Sequence, residues 1–150
     1  MARLPRGECP FEFHQKDDRC LAFLIDGSKS ITSSEFARST SVIRETVEHA
    51  TGLGILSTSI FQFSDYPLKQ LEWTPTMGPH EIVNRILQID HIQQNGGNSD
   101  IMAALETTGD LLSKYDYKTV VLCTDGVANR QTLVKGSRKM LKNFCFFCHF

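Results

Sequence analysis

The sequence predicts an α/β fold: an open, mostly parallel sheet with helices on both faces and one antiparallel edge strand. Three observations predict it. Two short apolar runs, Leu21–Asp26 and Lys118–Asp125, each end in Asp-Gly, the pattern of strands buried on both faces of a parallel sheet. Segments of helical period separate the strand-like runs, so strands and helices alternate along the chain. Only Ile55–Phe63 and Leu68–Trp73 lie close enough, across Ser64-Asp65-Tyr66-Pro67, to form a hairpin, which supplies the antiparallel edge.

The elements follow in order. Residues 1–19 are charged, contain Pro5 and Pro10 and show no period, which predicts a lead-in or docking arm before a domain over 20–150. The first strand is expected at Leu21–Asp26. Ser33 or Ser34, with Glu35 close behind, can cap a helix whose Phe36, Val42, Ile43, Val47 and Ala50 form its apolar face. Thr51-Gly52-Leu53-Gly54 supplies C-cap chemistry. Ile55–Phe63 alternates as a strand of mixed burial, and Leu68–Trp73 pairs with it. Ile82, Val83, Ile86 and Leu87 place a helix at Glu81–Ile89. Gln93–Ser99 is a loop whose Gly96 and Gly97 permit backbone angles that other residues resist. A helix from about Asp100 buries Ile101, Ala104, Leu105, Thr108 and Leu112. Tyr117–Thr124 is the next strand, Gln131–Lys142 an amphipathic helix with a basic outer face, and Phe144–Phe150 a last strand.

At 150 residues, 41% hydrophobic and 22% charged, the chain has the composition of one globular domain. A formal net charge of −1 gives no electrostatic case for nucleic acid or an anionic membrane, and no run is long enough to cross a bilayer. The first seven residues carry no apolar core of a signal peptide. Cys9 and Cys20 can bridge in an oxidising compartment, Cys123 reads as a buried thiol, and Cys145-x-x-Cys148 reads as thiols along a strand. Tyr66 and Trp73 read as packing residues, and Lys135, Arg138, Lys139 and Lys142 as a solvated helix face.

Chemistry concentrates where the two Asp-Gly strands end. If those strands are neighbours, Asp26 and Asp125 overhang one crevice at the C-terminal edge of the sheet, where open α/β sheets bind ligands. Ser28 and Ser30 follow Asp26, and the Gly96-Gly97 loop can bring Ser99 to the same rim. Three hydroxyls and two carboxylates, with no His or Cys, suit Mg²⁺ or Mn²⁺ rather than zinc. These groups leave room for one ligand from outside. One Asp-Gly alone is an ordinary turn; two at strand ends with a glycine-serine loop between them make a site.

At these residues the chain resembles the von Willebrand factor A (vWA) domain. Asp26-Gly27-Ser28-Lys29-Ser30 matches its D-x-S-x-S motif, Gly97-Asn98-Ser99 with Ala104-Leu105 is similar to its second loop, and Thr124-Asp125-Gly126 matches its T-D-G loop. Glu8-Cys9-Pro10 ahead of Ala22–Ser28 is most similar to the inserted domain of leukocyte-type integrin α subunits. The resemblance implies a Rossmann-like, vWA-like sheet and a metal-ion-dependent adhesion site. Ser28, Ser30 and Ser99 would carry hydroxyls to Mg²⁺ or Mn²⁺, with Asp26 and Asp125 contributing charge directly or through water. The remaining position would accept a Glu or Asp of an extracellular protein ligand, at a cell surface and alongside an integrin β subunit. The alternative it implies is the same module in a secreted matrix or complement-type protein. In such domains ligand binding couples to a shift of a C-terminal helix.

This sequence departs from the family pattern at four points. Ser99 stands where threonine is usual, Ile101 replaces a frequent second threonine, and Lys29 fills a position often held by a small residue. The family also continues with a further helix, a sixth strand and a mobile helix. The chain is therefore expected to be C-terminally incomplete, with one side of its sheet uncovered and no affinity switch of its own. An enzyme is not expected: the sequence holds no P-loop, G-x-G-x-x-G or G-x-S-x-G, and its five histidines are scattered.

Overall fold

A computed structural model describes residues 19–53, 57–125 and 144–146. The expected arm before Arg19, the helix Gln131–Lys142 with its basic residues, Ile55, Leu56, Cys9 and Cys148 lie outside the described residues.

The elements are β1 (Arg19–Asp26), α1 (Ser33–Leu53), β2 (Ser57–Phe63), β3 (Pro67–Trp73), α2 (Pro79–Leu87), a 3₁₀ turn (Gln88–His91), α3 (Ile101–Leu111), β4 (Tyr117–Cys123) and β5 (Phe144–Phe146). The strands form one sheet in the order β3-β2-β1-β4-β5. β1 pairs parallel with both β2 and β4, and β4 parallel with β5; only β2 and β3 are antiparallel. The chain leaves β1 toward β2 and later returns to its other side as β4. The strand order therefore reverses at β1, and the C-terminal end of β1 is the position at which open α/β sheets bind ligands.

Alternation along β1 sorts the core into two layers. Phe23 and Ile25 face α1, α2 and the 3₁₀ turn, packing with Phe36, Ile43, Val47, Trp73, Ile82, Ile86 and Ile89. Ala22 and Leu24 face α3, packing with Phe61, Phe63, Ile101, Ala104, Leu105, Val120 and Leu122. Among the described residues helices thus lie on both faces, α1 and α2 on one and α3 on the other, as the fold class predicts. β1 has no uncovered side, against the expectation for a C-terminally incomplete chain. The edge strand β3 opens on Pro67, and its pairing slips at Ile60/Phe61, both features that limit further pairing at a sheet edge.

Several local expectations are corrected. The N-cap of α1 is Thr32, not Ser33 or Ser34: its N–H and hydroxyl both donate to the Glu35 carboxylate (2.8 and 2.7 Å), and its Oγ1 accepts from the Glu35 N–H at 3.3 Å. That is a capping box, and it needs threonine and glutamate three apart, a spacing neither serine offers. The bonds from Thr32 hold the Glu35 carboxyl below its ordinary range. Their contribution is complete above that range and is lost as the pH falls through the lowered value. Thr32→Ala is expected to cost about 1 kcal/mol in urea unfolding at neutral pH; an unchanged midpoint would mean the box contributes nothing.

Val42 is 49% exposed, because six residues on from Phe36 it lies about 240° round the helix. Thr40 and Ser39 take the inner positions instead. β2 is buried at all seven described positions rather than alternately, since it lies between β1 and β3 with helices on both sides. The second helix begins at Pro79, a residue suited to a first turn, and gives way to the 3₁₀ turn at Gln88. It buries Ile82 and Ile86 and leaves Val83 and Leu87 exposed. Trp73 is core, but Tyr66 is 62% exposed at the β2–β3 turn and does not pack. Cys20 is a buried thiol that burial pushes up to about 11, and Cys123 is buried as expected. Among the described residues no helix is long and apolar enough to cross a membrane.

Candidate functional site

β1 ends on Asp26, at the point where the strand order reverses. The Asp26 side chain is 1% exposed, and its carboxylate draws donors from three segments. Oδ1 accepts from the backbone N–H of Ser28 at 2.9 Å, while Oδ2 accepts from the Ser99 hydroxyl at 3.1 Å and the Thr124 hydroxyl at 2.9 Å. Thr124 reaches it because β4 runs parallel to β1 with Ile25 opposite Cys123, so the next residues sit side by side. Ser28 is buried, and its Oγ lies 3.0 Å from that of the exposed Ser30.

The structure therefore brings Asp26, Ser28, Ser30 and Ser99 into one hydrogen-bonded group. It places Asp125 half-buried, one residue beyond Thr124 at the end of β4. Ile101, the departure from threonine, is buried in the α3 core. The residue that the sequence reading left without a role is Thr124. Its signal was parity: two residues beyond the buried Leu122, it shares a face with Asp26.

Backbone bonds lock the loops together. The Gly27 N–H donates to the Phe63 carbonyl (2.8 Å), Gly96 N–H to Gly27 (2.8 Å), Lys29 N–H to Gly97 (2.9 Å) and Asp100 N–H to Ser64 (3.0 Å). Gly96 and Gly97 hold φ of +71° and +98°, angles at which a side chain is strained. A β-carbon on Gly97 would also strike the Asp65 carboxylate, whose Oδ1 accepts from Asn98 N and Nδ2 at 3.1 and 3.0 Å. Asp100 caps α3 by accepting from Ala103 N at 3.0 Å, so the loop runs straight into a fixed helix start.

The donor set is consistent with a small hard cation. Among the described residues the hydrogen-bond partners of the buried Asp26 carboxylate are all neutral: one backbone N–H and two hydroxyls. Hydroxyls and carboxylates are the ligands Mg²⁺ and Mn²⁺ take. Among the described residues no three His, Cys, Asp or Glu side chains gather into a metal-binding cluster, so an ion here would need the hydroxyls as well as the Asp26 carboxylate.

The family model of the von Willebrand factor type A domain matches residues 21–127. No curated protein matches the chain. Among solved structures, proximal thread matrix protein 1 from the mussel byssus is similar, with a TM-score of 0.59 at 19% identity over 75% of this chain. A second crystal form of that protein gives 0.53 at 21% identity over 72%. The matches span only 31% and 28% of those chains, and at such identity they establish the fold alone. With the matched segment running from the start of β1 to just past Asp125, the chain belongs to the von Willebrand factor type A domain family of protein-interaction modules.

Proposed function

We propose that this domain is a cation-dependent adhesion module that captures an acidic residue of an extracellular protein. The observation that carries the reading is the buried Asp26 carboxylate, reached by hydroxyls from two other segments at a strand-order reversal. Asp26, Ser28, Ser30, Ser99 and Asp125 would hold Mg²⁺ or Mn²⁺. Bound there, the ion would supply positive charge for a Glu or Asp carboxylate of the partner. The residues of this chain do the rest: they preset the hydroxyls, keep Asp26 out of water, and offer polar loops around the contact. The work proposed for the site is binding rather than catalysis.

Two settings share this site. One is an integrin α subunit acting with its β chain at the cell surface. The other is a secreted matrix or complement-type protein; the byssus thread matrix protein that shares this fold carries matrix protein in its name. Calorimetric titration of the chain with MgCl₂ and MnCl₂ tests the shared core: saturable, EDTA-reversible binding is expected, and its absence overturns the reading. Co-precipitation with an integrin β chain from a cell surface would select the first setting.

Lys29 bears on the same titration. It is exposed, lies between two of the proposed ligands, and carries the same sign of charge as the ion. Lys29→Ala is expected to raise Mg²⁺ affinity by about two- to fivefold at low salt, with the gain fading as ionic strength rises. An unchanged affinity at low salt would show that the ammonium does not sense the site.

A further inference from the structure

Two side-chain amides near the candidate site contribute no oxygen to it, yet they join its loops. Gln62 lies near the end of β2 and is completely buried, an uncommon place for a glutamine. Its Nε2 donates to the Gln93 carbonyl at 2.8 Å, and its Oε1 accepts from the Asn95 N–H at 2.7 Å. One planar group with a donor and an acceptor thus stands in for a strand's backbone and grips the loop at two points. The amide fills the space beside Gly27, where a β-carbon would collide with Oε1.

Gln94 lies between the two residues that Gln62 grips, and its side chain acts in the other direction. Its Nε2 donates to the carbonyls of Ser28 (3.0 Å) and Ile31 (2.9 Å), the loop that carries Ser28 and Ser30. The chain of contacts is therefore β2 to the Gln93–Asn95 segment, and from there to the D-x-S-x-S loop. The seam bonds Gly96 N–H to Gly27 and Lys29 N–H to Gly97 close immediately beyond it.

We propose that Gln62 and Gln94 are positioning residues of the ion site, acting in series as a clasp that sets Ser99 against Asp26 before any ion arrives. The inference rests on the reading of the site given above. Its physical basis is entropy. The loop contains adjacent glycines with the widest backbone freedom, so without the clasp an ion would have to order them on binding. With it, that ordering is already complete in the folded protein, and affinity rises accordingly. The role requires glutamine. Leucine at 62 has neither bond, and glutamate there would turn an acceptor toward the Gln93 carbonyl.

The test uses the 150-residue chain with two readouts, amide hydrogen exchange without metal and calorimetric titration with MgCl₂. Gln94→Ala is the main variant because its side chain is only half-buried and its loss opens no core cavity. The Lys29 and Gly96 amides are expected to exchange about tenfold faster, while those of Phe23 and Leu24 in β1 keep their rates. Mg²⁺ affinity is expected to fall about tenfold with an unchanged melting temperature. Gln62→Leu should speed exchange of the same amides and lower Mg²⁺ affinity likewise, with a lower melting temperature because its site is buried. The double variant should bind no more weakly than the worse single one, because the contacts act in series. Unchanged exchange at Lys29 and Gly96 in Gln94→Ala overturns the clasp. Faster exchange with unaltered Mg²⁺ affinity overturns the positioning role. Absence of Mg²⁺ binding in the unsubstituted chain overturns the ion-site reading and the positioning role with it, while exchange still decides whether the clasp exists.

Discussion

Asp26→Ala is expected to abolish the saturable Mg²⁺ response. Among the five residues joined by these hydrogen bonds, Asp26, Ser28, Ser30, Ser99 and Thr124, Asp26 alone carries charge, and hydroxyls by themselves hold a strongly hydrated divalent ion poorly. The alanine also removes the acceptor that Asp26 offers the Ser28 N–H and the Ser99 and Thr124 hydroxyls, and a buried group left unsatisfied costs about 1–3 kcal/mol. Loss of binding through unfolding must therefore be separated from loss of a ligand. Asp26→Asn makes the separation. It keeps the shape, and the two hydroxyls can rotate to meet an amide in place of a carboxylate. The expected result is cooperative melting in Asp26→Asn with no Mg²⁺ heat. Retention of a saturable response in either variant would mean that the ion, if bound, sits elsewhere.

Trp73→Ala is expected to show the largest loss of stability, about 3–5 kcal/mol in urea unfolding. Trp73 is 1% exposed and closes the α1 and α2 layer from the edge strand β3. Domains of this size are stable by about 5–15 kcal/mol, so between about a fifth and all of the total is at stake. The site lies at the other end of β3's partner strand, so Mg²⁺ affinity measured well below the melting temperature should not change. A loss under 1 kcal/mol would show that the indole is not part of the core, and reduced affinity in the folded variant would make it part of the ligand surface.

The elements legible in the sequence share a property: their signal is local. Leu21–Asp26 was readable because five consecutive apolar residues cannot face water on either side of a strand. Ile101, Ala104, Leu105, Thr108 and Leu112 were readable as an inner helix face from spacing alone, and all five are buried. Val42 was misassigned to the inner face because an apolar residue beside a helical stripe looks the same whether or not a neighbour covers it. For the same reason the spacing of Val83 and Leu87 marked a helix without showing that both are exposed. The Thr32 cap was missed because three adjacent hydroxyl residues compete, and only the partner at Glu35 chooses among them. Of the candidate site, the motif residues were visible. Thr124, Gln62 and Gln94 carried no assigned role, since their partners lie 98, 31–33 and 63–66 residues away.

By itself the sequence determined the alternation of strands and helices, the hairpin edge, and the two acidic strand ends, because each follows from short-range periodicity and turn chemistry. Only the tertiary structure decided that β1 lies between β2 and β4, and so that Thr124 and Ser99 meet Asp26. Strand order depends on how the helices divide between the two faces of the sheet, a packing outcome spread over the whole core. No local stretch of residues encodes it.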